Sequence, residues 1–158
     1  MSKKGLLIIN ELVWIIVFLI ISAIIIFPVY QKIPEFPFLK INFFTIFLFL
    51  YLSRYILFLR KSILKDKRLL LKIMFFLFIP TVLFLGDSFF TILAFFKENG
   101  FSFIPERFSY LEAKTLGNYL KTEITFFGIA SIITAVIFPF RILFYLWKTS
   151  GDKPSKWI

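Results

Sequence analysis

The sequence contains no cysteine and no histidine among its 158 residues. Thiolates and imidazoles are the usual protein ligands of structural zinc, iron–sulfur clusters, haem and copper. We therefore expect no cofactor and no metal site. Without cysteine there is also no disulfide that would indicate a redox compartment.

The sequence also lacks the common catalytic motifs. It has no glycine-rich phosphate loop, no Ser/His/Asp set, no H-E-x-x-H and no close pair of intramembrane carboxylates. We expect a protein that is not an enzyme. A weaker alternative is an enzyme that acts on lipid headgroups through the loop acids Glu98, Glu106 and Glu112.

Apolar residues, in contrast, dominate the composition. They make up 59% of the chain, aromatic residues make up 22%, and the mean hydropathy is +0.89. A soluble domain of this size cannot hide so much apolar surface, whereas four helices of roughly 20 residues with short loops fit the length. The sequence predicts a single all-α membrane domain over residues 1–158, with transmembrane spans at about 6–29, 41–59, 73–96 and 124–147.

The basic residues predict the orientation of the spans. The N-terminus, the loop between spans 2 and 3 and the C-terminal tail hold 11 Lys and Arg, whereas the two opposite loops hold 6. Cytoplasmic loops carry such an excess, so we expect both termini on the cytoplasmic side of the membrane. The net charge of +10 then reflects orientation, and we expect no nucleic-acid partner.

The longest loop connects spans 3 and 4. Pro105 and Glu106 are typical of a first helical turn. The residues that partly align along one side of such a helix are Phe108, Leu111, Leu116 and Leu120. We expect a short interfacial helix here. An irregular loop is the alternative.

Three charged side chains interrupt the spans at one depth. Glu11 in span 1, Arg54 in span 2 and Arg141 in span 4 each lie about 7–9 Å inside the cytoplasmic boundary at 1.5 Å per residue. We expect Glu11 to bridge both guanidinium groups and so to join three spans. The alternatives are that the two arginines extend independently to the lipid headgroups, or that the layer is an ion site.

A fourth ionisable residue, Asp87, lies in the outer half of span 3 and two turns after Pro80. One hypothesis is a protonatable carboxyl that moves protons or sodium ions. The other is a structural carboxyl, hydrogen-bonded to Ser131 or Thr134 of span 4 or to a partner chain. We favour the structural role, because a single acid without a relay is weak support for transport.

Span 4 also carries small residues at spacings of three and four. Gly128, Ser131 and Ala135 form a strip on one helical face. Small residues allow helices to approach closely in membranes. The strip is therefore predicted to be a helix-packing surface.

Four parts of the chain carry a resemblance to known sequences: Ile9-Asn10-Glu11-Leu12-Val13-Trp14, Phe36-Pro37-Phe38, Ser53-Arg54-Tyr55-Ile56, and Phe126-Phe127-Gly128 through Pro139-Phe140-Arg141. They resemble a family of small four-span membrane proteins of Bacteroidetes-type bacteria. The resemblance covers most of the chain and implies an inner-membrane location, and it directs attention to the same charged layer of Glu11, Arg54 and Arg141. It carries over no activity.

These observations predict a non-catalytic accessory or scaffold subunit of a larger bacterial inner-membrane complex. Its expected partners are the lipid bilayer and other membrane protein subunits. The alternative from another class is a small oligomeric proton or cation transporter or channel that uses Asp87, with the Glu11 layer as a gate.

Overall fold

A computed structural model describes residues 3–59, 62, 64 and 67–151. In this part of the chain there are four helices: α1 (Lys3–Lys32), α2 (Leu39–Phe58), α3 (Arg68–Asn99) and α4 (Tyr110–Gly151). No strand occurs among these residues. All four helices are long and apolar enough to cross a membrane, so the predicted all-helical, four-span architecture of a multi-pass membrane protein is confirmed.

Three of the helices are longer than the membrane requires. Helix α2 has 20 residues, whereas α1 has 30, α3 has 32 and α4 has 42. At 1.5 Å per residue, α4 is about 63 Å long, roughly twice the thickness of the hydrocarbon core. Helix α4 therefore contains a membrane span together with a long extension.

The start of α4 differs from the sequence prediction. The helix begins at Tyr110 and continues without a break into span 4, so the segment expected to be a separate interfacial helix is the first part of α4. Its N-terminus has a capping box, in which the backbone N–H of Ser109 donates to Oε2 of Glu112 over 2.9 Å and the backbone N–H of Glu112 donates to Oγ of Ser109 over 3.4 Å. Pro105 lies in the preceding turn.

The helices pack in the order α1, α2, α4, α3. Helix α2 contacts both α1 and α4, and α4 contacts α3. We call the end of the bundle where α1 begins the proximal end, and the other end the distal end. Helices α2 and α4 run in the same direction, from distal to proximal.

The core has two parts. The proximal core surrounds Phe138 and is built by α2, α3 and α4, whereas the distal core surrounds Leu120 and includes the loops and the extension of α4. Aromatic rings fill the distal part, with Phe36 and Phe103 5.3 Å apart between ring centroids. The distal core explains the length of α4, because Leu116 and Leu120 are buried there outside the predicted span.

Several basic residues used to predict the orientation lie outside the described residues. They are Arg60, Lys61 and Lys65 of the loop between α2 and α3, and Lys153 and Lys156 of the C-terminal tail.

Candidate functional site

Glu11 and Arg54 form an ion pair between α1 and α2 near the proximal end. Nη1 of Arg54 donates to Oε2 of Glu11, and both side chains are 9% exposed. The same carboxylate oxygen accepts the hydroxyl of Tyr55 over 3.0 Å, and Tyr51 donates to the Tyr55 oxygen over 3.2 Å. Arg54 is thus directed into the bundle, toward a carboxylate, and not out toward the lipid headgroups.

Aromatic rings frame the guanidinium group of Arg54. Its Cζ lies 5.5 Å from the ring centroid of Trp14 and 5.5 Å from that of Tyr55. An arginine held over aromatic faces gains cation–π attraction and is shielded from lipid. A groove of about 390 Å³ leads to this group between α1 and α2, lined by Asn10, Trp14, Phe18, Leu50, Arg54 and Phe58.

Arg141 has a different partner from the one expected. Its Nε donates to the backbone carbonyl of Ile56 over 2.9 Å, whereas the Glu11 carboxylate forms its ion pair with Arg54. Ile56 lies in the last turn of α2, where carbonyl groups have no partner within the helix. In place of the expected network of three side chains, the structure has an ion pair between α1 and α2 and a separate hydrogen bond from α4 to the end of α2.

Asp87 lies on the exposed face of α3. Ser131 donates to the carbonyl of Gly128, and Thr134 donates to the carbonyls of Ala130 and Ser131, so neither hydroxyl is directed to the Asp87 carboxylate. No hydrogen bond or ion pair joins Asp87 to another described residue. The carboxyl instead faces outward among apolar side chains, which include Leu83, Phe84 and Phe90.

The small-residue strip lies inside the bundle. Ser131 and Ala135 are fully buried, and a Cβ atom on Gly128 would lie 2.5 Å from the ring of Phe89 in α3. The strip thus allows α3 and α4 to approach closely. Because α3 covers the strip, its residues are not accessible to a partner protein.

A second polar pair was missed by the sequence reasoning. Nδ2 of Asn42 in α2 donates to Oε2 of Glu123 in α4 over 2.7 Å, and both residues are buried near the distal end. The predicted span began at Ile124, which left Glu123 in a loop. The sequence did contain a signal for this pair. Asn42 and Glu123 each lie at the start of a span that runs inward, so the two side chains have the same depth in the membrane.

Among the described residues no three acidic side chains lie close enough to hold a metal ion. Of the three loop acids considered for headgroup chemistry, Glu112 uses its carboxylate to accept the backbone N–H and the hydroxyl of Ser109 at the start of α4. The polar side chains described above mainly join helices to one another.

Comparisons with known proteins found no match to this chain. No family model, no curated protein and no solved structure matches this chain. The resemblance to small four-span proteins of Bacteroidetes-type bacteria therefore stays a prediction.

Proposed function

We propose that the protein is a non-catalytic accessory or scaffold subunit of a larger complex in a bacterial inner membrane, with both termini in the cytoplasm. The exposed carboxyl of Asp87 carries this proposal. An ionisable group within a membrane helix is costly against lipid, and such groups usually face protein or water. Because the fold of this chain leaves Asp87 on its outer face, a partner helix is the natural cover.

Two further features support docking at this face. Pro80 is exposed two turns before Asp87, and its missing N–H leaves the carbonyl of Phe76 without its usual helical partner. Gly86 beside Asp87 has no atom within 4 Å of the position that a Cβ would take. The outer face of α3 therefore has a polar carbonyl, a carboxyl and a glycine with open space beside it, which suit a close helix–helix contact.

Site-specific photo-crosslinking in cells tests this proposal. A photoreactive amino acid at Leu83 or Phe90, each 70% exposed and next to Asp87, should crosslink to one defined larger membrane protein. The same probe at Ile24 of α1, 65% exposed, is the matched control and should crosslink to lipid alone. Asp87→Leu should abolish the α3 adducts while leaving the control unchanged.

Two results would contradict the accessory role. Lipid adducts alone at Leu83 and Phe90 would mean that the face has no protein partner. Adducts between copies of this chain would favour the rival function, a small oligomeric proton or cation transporter that uses Asp87. In that case the reconstituted protein should move protons or sodium ions, and Asp87→Asn should stop the flux.

A further inference from the structure

The pair formed by Asn42 and Glu123 is deeply buried at the distal end of the contact between α2 and α4. Asn42 is 1% exposed and Glu123 is 7% exposed. The hydrogen bond of 2.7 Å from Nδ2 to Oε2 accounts for one donor and one acceptor. It leaves a second polar oxygen on each planar group.

Both of these oxygens are unpartnered. Oδ1 of Asn42 and Oε1 of Glu123 are buried and have no hydrogen-bond partner among the described residues. An amide oxygen and an ionised carboxylate only accept hydrogen bonds, so an ionised Glu123 would leave two buried acceptors without a donor. Burying such groups costs free energy, and a buried charge without a counter-charge costs more.

Among the residues that the structure describes, the surrounding helices bring no buried counter-charge to this layer. Tyr119, one turn before Glu123, is 45% exposed, and its hydroxyl lies 3.5 Å from the carbonyl of Ile25 in α1. The other ionisable side chains that flank the layer on the packed helices are all exposed: Lys32 of α1, Lys40 of α2, Lys97 and Glu98 of α3, and Lys121 of α4.

We propose that Glu123 and Asn42 form a proton-binding site, in which Glu123 is a neutral carboxylic acid and its Oε1–H donates to Oδ1 of Asn42. One proton then satisfies both orphaned oxygens, and the acid and the amide are joined by two hydrogen bonds in place of one. A hard metal cation is a poorer occupant, because it takes six or more oxygen ligands and this site offers two free ones.

The site goes beyond the proposed scaffold role, because it makes the contact between α2 and α4 sensitive to pH. In the protonated form the pair joins the two helices inside the distal core. Loss of the proton leaves a buried carboxylate whose second oxygen has no donor, which weakens the contact. The folded state binds this proton more tightly than the unfolded state, so its contribution to stability is lost as the pH rises.

Two substitutions of Glu123 distinguish a neutral from a charged side chain. In Glu123→Gln the new amide N–H can donate to Oδ1 of Asn42 and its carbonyl can accept from Nδ2, which copies the protonated pair. Its Tm should lie within about 2 °C of the wild-type value at neutral pH and should be less sensitive to alkaline pH. Glu123→Ala removes both bonds and should lower the Tm by more than about 5 °C.

Infrared spectroscopy of the full-length protein in lipid nanodiscs gives an independent measurement. The wild-type spectrum at neutral pH should contain the C=O stretching band of a protonated carboxylic acid, and Glu123→Gln should remove it. Glu11→Gln is the matched control: it should leave the band in place and yet lower the Tm, because Glu11 is a charged partner of Arg54.

Either of two results would overturn the proton site. A spectrum in which Glu123→Gln removes no protonated-acid band would mean that Glu123 is ionised. A Tm for Glu123→Gln as low as that of Glu123→Ala would mean that the neutral side chain cannot replace the native one. The accessory role stands or falls separately, since it rests on Asp87 and on crosslinking at α3.

Discussion

The three carboxyl groups in the apolar part of the chain have different environments. Glu11 accepts from a guanidinium group and a phenol, Glu123 accepts from an amide, and Asp87 is exposed on the outer face of α3. The Glu11 carboxylate has a charged donor and a polar donor, whereas the buried Glu123 carboxyl has one neutral donor. The same side chain type therefore serves as an ion-pair partner in one place and as a hydrogen-bonded acid in another.

Replacement of Glu11 should be strongly destabilising. Glu11→Gln leaves the Arg54 guanidinium buried without a counter-charge, and breaking a buried ion pair in this way costs about 3–5 kcal/mol. Thermal unfolding in mild detergent, followed by tryptophan fluorescence, measures the loss. An unchanged Tm would show that the pair contributes nothing to stability.

A double substitution provides the control for the Glu11 experiment. Glu11→Leu combined with Arg54→Met removes both charges and retains apolar volume, so it should cost less than the sum of the two single changes. Strict additivity would mean that the two side chains do not interact energetically.

At the scale of the helices, arginine side chains reach across to the ends of other helices. Arg141 donates to Ile56 near the end of α2, Arg107 donates to Lys32 at the end of α1 over 3.0 Å, and Arg68 donates to Thr149 near the end of α4 over 2.9 Å. The last carbonyl groups of a helix have no internal partner and carry the negative end of its dipole. A guanidinium group donates a hydrogen bond to such a carbonyl and also brings a positive charge to the negative end of the dipole.

Loss of one such contact should loosen one helix end. Arg141→Met removes the donor to Ile56 but keeps an apolar stem, so the last turn of α2 should exchange its amide hydrogens faster, with a local opening free energy lower by about 1.5–3 kcal/mol. Hydrogen exchange detected by mass spectrometry measures this change for each helix.

Arg107→Met is the matched control for the Arg141 experiment. It should accelerate exchange at the end of α1, where Arg107 contacts Lys32, and leave α2 unchanged. If Arg141→Met has no effect on α2, the guanidinium of Arg141 extends to the lipid headgroups in the membrane and does not hold the helix end.

At the scale of the whole molecule, four spans place the two termini on the same side of the membrane, and the proximal end is proposed to be cytoplasmic. The natural chain has no cysteine, so single cysteines can be introduced without any background substitution. Ser102 in the distal loop and Lys67 at the proximal end are both exposed. They are therefore suitable positions for labelling.

A membrane-impermeant maleimide tests the orientation. Added to intact spheroplasts, it should label Ser102→Cys directly, whereas Lys67→Cys should react only after the membrane is permeabilised. The reverse pattern would place the proximal end outside, and equal labelling of both positions would contradict the four-span topology.

The sequence by itself determined the all-helical, four-span architecture. Apolar runs of about 20 residues are long enough to cross the hydrocarbon core of a membrane as helices. Within lipid the backbone must satisfy its own hydrogen bonds, and a helix does so. The sequence also identified Glu11 and Arg54 as close in depth, because rise per residue and alternating direction fix the depth of a side chain. These predictions depend only on the spacing of residues along each helix, and this spacing can be read directly from the sequence.

Only the tertiary structure decided which side chains meet around the helix axes. Depth placed Arg141 level with Glu11, but the rotation of α4 directs it to the carbonyl of Ile56. In the same way, the rotation of α3 about its axis places Asp87 on the outer face of the bundle, and the rotation of α4 buries Gly128 against Phe89. The site that sequence reasoning missed, Asn42 with Glu123, depends on the unbroken length of α4: continuation of the helix back to Tyr110 brings Glu123 into the distal core.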